Sequence, residues 1–190
     1  KPTGEAVSKN ESLVAFMTYL YERMENRYEK MAVKKRSLKK LLDEFLQIEF
    51  QLNDKHFDDF YFIPLGIYEG YNKEYTELFN TYHKLLVISP FLSKNIMDEF
   101  KRLQLTNADK TLITRKSELY KLSKDFLQNF DTYTLKDDVV DGEDRLAEEG
   151  EIKKQDIHAK LYLRTKDSYS ELFLGSANAS ENAFNGNIEF

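Results

Sequence analysis

The segment Lys84-LLVISPFL constrains the fold more than any other stretch of the chain. Its continuous apolar run, residues 85–88, has the pattern of a strand buried on both faces. Ser89-Pro90 marks a turn, and residues 93–103 follow as an amphipathic helix with Ile96, Phe100 and Leu103 inward. Thr111-LIT reads as a second buried strand. Leu119, Leu122, Phe126, Leu127 and Phe130 make a helix, and residues 133–135 a further strand. Strands alternating with helices of about ten residues predict an α/β sheet with parallel members.

Upstream, residues 1–11 are polar and read as a lead-in. From Ser12, a reasonable N-cap, Leu13, Met17, Leu20, Met24, Tyr28 and Met31 recur at spacings of three and four. Val33-Lys-Lys-Arg-Ser37 interrupts this stripe, and Leu38, Leu41, Leu42, Phe45, Ile48 and Leu52 resume it. The pattern predicts two helices or one broken one, packed as a helical hairpin. Residues 57–67 are aromatic and β-prone and read as a short strand and loop, and residues 71–82 fit a helix. The expected division is a helical segment over 1–51 and an α/β domain over 52–190.

Composition narrows the function classes. Fourteen Phe and twelve Tyr in 190 residues supply a real core, and the absence of cysteine removes disulfides and thiolate metal sites. That suits a cytoplasmic protein. No apolar run is long enough to span a membrane and no signal peptide is visible, so no membrane partner is expected. The net charge of −5 exerts no global pull on nucleic acid, so such binding needs a local patch. Residues 137–151 carry eight acidic residues against one arginine and read as a solvated connection. The chain begins Lys-Pro-Thr-Gly and stops at Asn-Ile-Glu-Phe, ends expected of a piece of a longer protein.

The chemistry gathers in residues 156–190, DIHAKLYLRTKDSYSELFLGSANASENAFNGNIEF. Two strands joined by a polar loop predict a hairpin, which would add antiparallel strands to the sheet. Alternation puts Ile157, Ala159, Leu161 and Leu163 on one strand face and His158, Lys160, Tyr162 and Arg164 on the other. Gly175 permits a close backbone path, and Ser176 and Asn178 share a face. A lysine, a hydroxyl and an amide beside an imidazole suit an anionic oxygen cluster such as phosphate. Glu189 could accept from the non-reacting imidazole N–H. By itself, His158-x-Lys160 reads as the solvent-facing side of a strand rather than as chemistry. Lys153, Lys154, Arg164, Lys166, Arg115 and Lys116 could track a phosphate backbone.

These residues resemble the phospholipase D superfamily signature: His158-Ala-Lys160, then Gly175-Ser-Ala-Asn178, then Asn187-Ile-Glu189 in the manner of its nuclease branch. LLVISPFLSKNIMDEF followed by TLITR is similar to the opening βαβ of such domains. The likeness covers residues 57–190. Thr165 stands where the family usually carries a hairpin-supporting aspartate, and Asp167 lies two residues on.

The resemblance implies an α/β/α sandwich with a mixed sheet and metal-independent, cofactor-free phosphodiester cleavage through a phosphohistidine. His158 would be the nucleophile or proton donor, Lys160 and Asn178 would bind the non-bridging oxygens with Ser176 assisting, and Glu189 would orient His158. His56 and His83 receive no role. A complete site needs two such motifs, so the resemblance implies a homodimer or a second motif elsewhere in a longer protein. Nucleic acid is the expected substrate. The alternatives are phosphatidyl hydrolysis or transfer, and a catalytically silent domain for nucleic-acid binding or assembly.

Overall fold

A computed structural model describes residues 4–24, 29–48, 50, 52, 55–67, 77–135 and 157–190. It divides into two compact units: Lys1–Tyr71 together with Phe190, and Asn72–Glu189. No helix among the described residues is long and apolar enough to cross a membrane.

The first unit holds helices α1 (Gly4–Arg23) and α2 (Glu29–Phe45). Ser12 lies within α1 rather than capping it. The expected break at residues 33–37 is absent, because Lys and Arg are good helix formers on an exposed face. α2 runs through that stretch, and its surface carries the i,i+4 ion pairs Lys39–Asp43 and Lys40–Glu44. α1 ends at Arg23 and α2 begins at Glu29. Asn10, buried in α1, ties the two helices by donating its amide to the carbonyls of Phe45 and Ile48. Residues 57–67 do not form the expected strand. Phe60 and Phe62 pack as rings instead, against each other and, for Phe62, against Phe50 at 5.5 Å and Phe190 at 5.8 Å.

The second unit is mixed α/β, with a five-stranded mixed sheet and several helices. Its strands are β1 (Tyr82–Ile88), β2 (Gln104–Ile113), β3 (Asp131–Tyr133), β4 (Leu161–Lys166) and β5 (Tyr169–Leu174), in the order β3-β2-β1-β4-β5. β1, β2 and β3 are parallel, and β4 and β5 add an antiparallel hairpin, as expected from sequence. Tyr82, read as the end of a helix, begins β1. The described residues just before it form a 3₁₀ turn, Glu77–Phe79. The helix read over 119–130 is divided into a 3₁₀ turn, Lys116–Lys121, and α4 (Lys124–Asn129). Ser123 makes the division, its hydroxyl capping α4 by accepting from the Phe126 N–H.

α3 (Lys94–Arg102) and α5 (Glu181–Asn185) bring an aromatic core to one sheet face. Phe100 of α3 stacks on Phe79 at 5.2 Å, Phe184 of α5 meets Phe79 edge-on at 4.9 Å, and both rings reach Tyr162 of β4. β1 is therefore not buried on both faces. Leu85 and Val87 lie under these helices, while Leu86 and Ile88 on the opposite face are half-buried.

Candidate functional site

The register of the hairpin determines which motif residues become neighbours. Leu161 of β4 pairs with Leu174 of β5 and with Ile88 of β1. One residue beyond those pairs lie Lys160, Gly175 and Ser89, so the motif segments converge where the parallel strands end. In open α/β sheets this carboxyl end is where ligands bind.

Ser89 organises the convergence. It is fully buried, and its N–H donates to Ile113 O at 3.1 Å while its carbonyl accepts from Thr114 Oγ1 at 2.7 Å. Its hydroxyl donates to Phe91 O at 2.8 Å and accepts from the Ala179 N–H at 2.9 Å. Ala179 also forms a parallel bridge with Leu92, and its carbonyl accepts from the Ser93 N–H at 2.9 Å. Ser93 Oγ then takes the Glu181 N–H at 3.0 Å. The Gly175–Asn178 loop is thus anchored by the turn after β1. Sequence reading assigned Ser89 and Thr114 no role. A Ser-Pro at the end of a buried parallel strand was the available signal, because that is where a strand hands its chain to the site.

Each motif residue has a definite place. His158 is exposed on the extended segment before β4. The Lys160 ammonium donates to the His158 carbonyl at 2.9 Å, a neutral acceptor weaker than a phosphate oxygen would be. Ser176 Oγ donates to Glu189 Oε2 at 2.5 Å, and the Asn187 amide approaches Glu189 Oε1 at 3.4 Å. Among the described residues no hydrogen bond joins the His158 ring to Glu189, whose bonded partners are Ser176 and Asn187. Asn178 Oδ1 is buried with no hydrogen-bond partner. An orphaned buried acceptor costs about 1–3 kcal/mol, and such groups concentrate where a ligand or water completes them. Turning the amide over presents Nδ2, a donor, at the same point.

The strand faces differ from the sequence reading. Tyr162 and Arg164 point into the core, while Leu161 and Leu163 are only half-buried. Arg164 is not a phosphate-tracking residue. It is buried, donates Nε and Nη2 to Glu171 on β5 and Nη1 to Thr81 O, and has no surface left for a ligand. Lys166 is exposed at the turn end of the hairpin, away from the motif. Lys153, Lys154 and the acidic stretch 137–151 lie outside the described residues. Asp167, left-handed at φ 54°, forms that turn and pairs with His83 at 3.1 Å, so this histidine braces the far end of the sheet.

Tyr162 links core and loop, its hydroxyl donating to Ala177 O at 2.9 Å. Burial pushes its phenol far above the ordinary value of 10.0, and the Glu189 charge adds to the rise. Burial raises Tyr82 as well. For groups whose acid form is favoured by folding, stability is complete below the unfolded value and falls as pH rises above it. Urea denaturation should therefore give a plateau up to about pH 10, then a decline of roughly 1.4 kcal/mol per pH unit for each tyrosine. Tyr162→Phe should cost about 1 kcal/mol at neutral pH through the lost hydrogen bond and halve that alkaline slope. An unchanged slope would remove Tyr162 from this role.

No protein-family model matches the chain, and no curated protein sequence matches it.

Proposed function

We propose that this chain is a metal-independent phosphodiesterase of phospholipase D type that cleaves nucleic acid through a phosphohistidine at His158. The observation carrying this reading is the convergence of five motif residues at one end of the sheet, with Ser176 bonded to Glu189 and Asn178 holding an unpartnered buried amide oxygen. The mixed sheet, parallel in β1–β3 and antiparallel in β4 and β5, is compatible with the α/β/α sandwich of that superfamily.

His158 attacks phosphorus through a ring nitrogen, and the P–O bond to the leaving group breaks as that oxygen takes a proton from a second histidine. Water, deprotonated by the second histidine, then cleaves the P–N bond and frees His158. Lys160 leaves its carbonyl for the non-bridging oxygens, where it and Asn178 offset the charge growing in the transition state. Glu189, held by Ser176, supplies the negative field that favours positive charge on the imidazole. The second histidine comes from a second copy of the chain across a two-fold axis, or from another motif of a longer protein.

Trapping tests this reading. Incubation with a phosphodiester in EDTA, quenched in alkali, should leave a phosphoryl adduct on His158 by mass spectrometry, and acid should release it. Cleavage that requires added metal, or an adduct on another residue, would overturn the reading. Sedimentation should show a dimer wherever the chain alone is active.

Leu174 and Ile188, exposed immediately before Gly175 and Glu189, favour phosphatidyl hydrolysis as a second reading. Turnover of phosphatidylcholine vesicles without turnover of oligonucleotide would select it.

A further inference from the structure

We infer that Ser89 and Tyr162 are positioning residues for Asn178: their two buried hydroxyls hold the peptide group on either side of it and so orient its amide. The inference rests on the phosphodiesterase reading for the reaction, and it gives a role there to two residues outside the motif.

The Tyr162 hydroxyl donates to Ala177 O at 2.9 Å, and the Ser89 hydroxyl accepts from the Ala179 N–H at 2.9 Å. Ala177 O belongs to the peptide joining residues 177 and 178, and the Ala179 N–H to the peptide joining 178 and 179. Each peptide is a rigid plane, so the soft torsions between these two are φ and ψ of Asn178. Fixing both planes fixes both torsions, and with them the direction of the Asn178 Cα–Cβ bond. Neighbouring bonds brace the far side. Asn178 O accepts from the Ser180 N–H at 2.7 Å, and Ala179 O from the Ser93 N–H at 2.9 Å.

Both hydroxyls stand on rigid mounts. Tyr162 pairs with Val87 across β4 and β1, and Ser89 follows two residues after Val87. The Tyr162 ring lies 6.2 Å from Phe100 and 6.0 Å from Phe184. Ser89 commits its proton to Phe91 O at 2.8 Å, so what it offers the Ala179 N–H is a lone pair. Both side chains are buried, and bonds made away from water hold their geometry more firmly than exposed ones.

The amide itself has weaker support, since Asn178 Oδ1 is buried and has no hydrogen-bond partner among the described residues. A side chain with that unmet demand keeps its place because its backbone is fixed. In the proposed reaction this delivers the amide to the non-bridging oxygens without rearrangement, and a misplacement of about 1 Å at such a group costs about 10² in rate.

Two measurements on the intact chain test this. Nitrogen relaxation of the Asn178 side-chain amide, identified by its loss in Asn178→Ala, requires no turnover. Its order parameter should be near 0.85, roughly that of rigid backbone, in the parent and below about 0.6 when Tyr162→Phe and Ser89→Ala are combined. A parent value already below about 0.6, or a double variant as ordered as the parent, would overturn the inference. Should the double variant fail to fold, Tyr162→Phe alone, which removes one hydroxyl and keeps the ring, must still lower the value.

The second measurement is hydrolysis of bis(p-nitrophenyl) phosphate in EDTA. Tyr162→Phe and Ser89→Ala should each lower kcat about tenfold or more, with KM within about twofold of the parent. In an Asn178→Ala background the same replacements should change kcat by less than about twofold, because the residue they act through is gone. Equal losses in both backgrounds would mean that the hydroxyls support the fold at large, and the assignment would fall. If the parent hydrolyses the ester while neither kcat nor amide order responds to the variants, the positioning role fails alone. If the parent leaves the ester intact while amide order depends on the hydroxyls, the hydrolytic reading fails and the hold on Asn178 stands.

Discussion

His158→Ala should lower EDTA-resistant phosphodiester cleavage by about 10³-fold or more, because it removes the attacking nitrogen and, in a two-fold dimer, the second copy's proton-transferring ring as well. The residue is exposed, and its imidazole has no hydrogen bond to Glu189 among the described residues. The replacement therefore leaves the core untouched, and the melting temperature should match the parent. Lys160→Ala should lose rate comparably, since among the described residues its ammonium bonds a backbone carbonyl, from which it is released to phosphate at small cost. Equal turnover by the His158→Ala protein and the parent, with EDTA present, would sink the assignment. Turnover equal in the Lys160→Ala protein would leave the histidine chemistry standing and remove the lysine from it.

The largest stability effect is expected at Arg164. Arg164 and Glu171 are register partners on β4 and β5, and the guanidinium is almost fully buried while the carboxylate is about four-fifths covered. Arg164→Leu strands a carboxylate beside apolar surface and leaves Thr81 O without its donor. It should cost about 3 kcal/mol in urea denaturation. Glu171→Leu, which strands the guanidinium instead, should cost at least as much. The double replacement should recover most of the loss, because two packed apolar side chains carry no desolvation penalty. Single variants within about 0.5 kcal/mol of the parent would mean that the pair is solvated and does not hold the hairpin in register.

Much of the sheet was legible in the chain. The run 85–88, the stripe of Ile96 and Phe100, and Thr111-LIT carry local periodicity strong enough to name two parallel strands and the helix between them. The C-terminal alternation named the hairpin. Legibility failed where the outcome depends on what a segment packs against. Residues 57–67 have strand composition, yet only Leu65 among them enters a β-bridge, while Phe60 and Phe62 pack as rings. Val33-Lys-Lys-Arg-Ser37 is charged yet compatible with a helix whose other face is packed. The motif residues were legible from spacing, whereas Ser89, which holds Ala179 and Phe91, was not, because its partners lie ninety and two residues away.

Sequence alone determined the order of the strands from β1 to β5, the mixed character of the sheet, and the identity of the polar residues near its carboxyl end, since these follow from periodicity and residue type. Tertiary structure decided which of those residues face outward. Alternation states that Tyr162 and Arg164 share a face with His158 and Lys160, but only the seating of α3 and α5 makes that face the buried one along β4. The same face is core at Tyr162 and solvent at His158. Burial is a property of neighbours, and the neighbours are brought together only by folding.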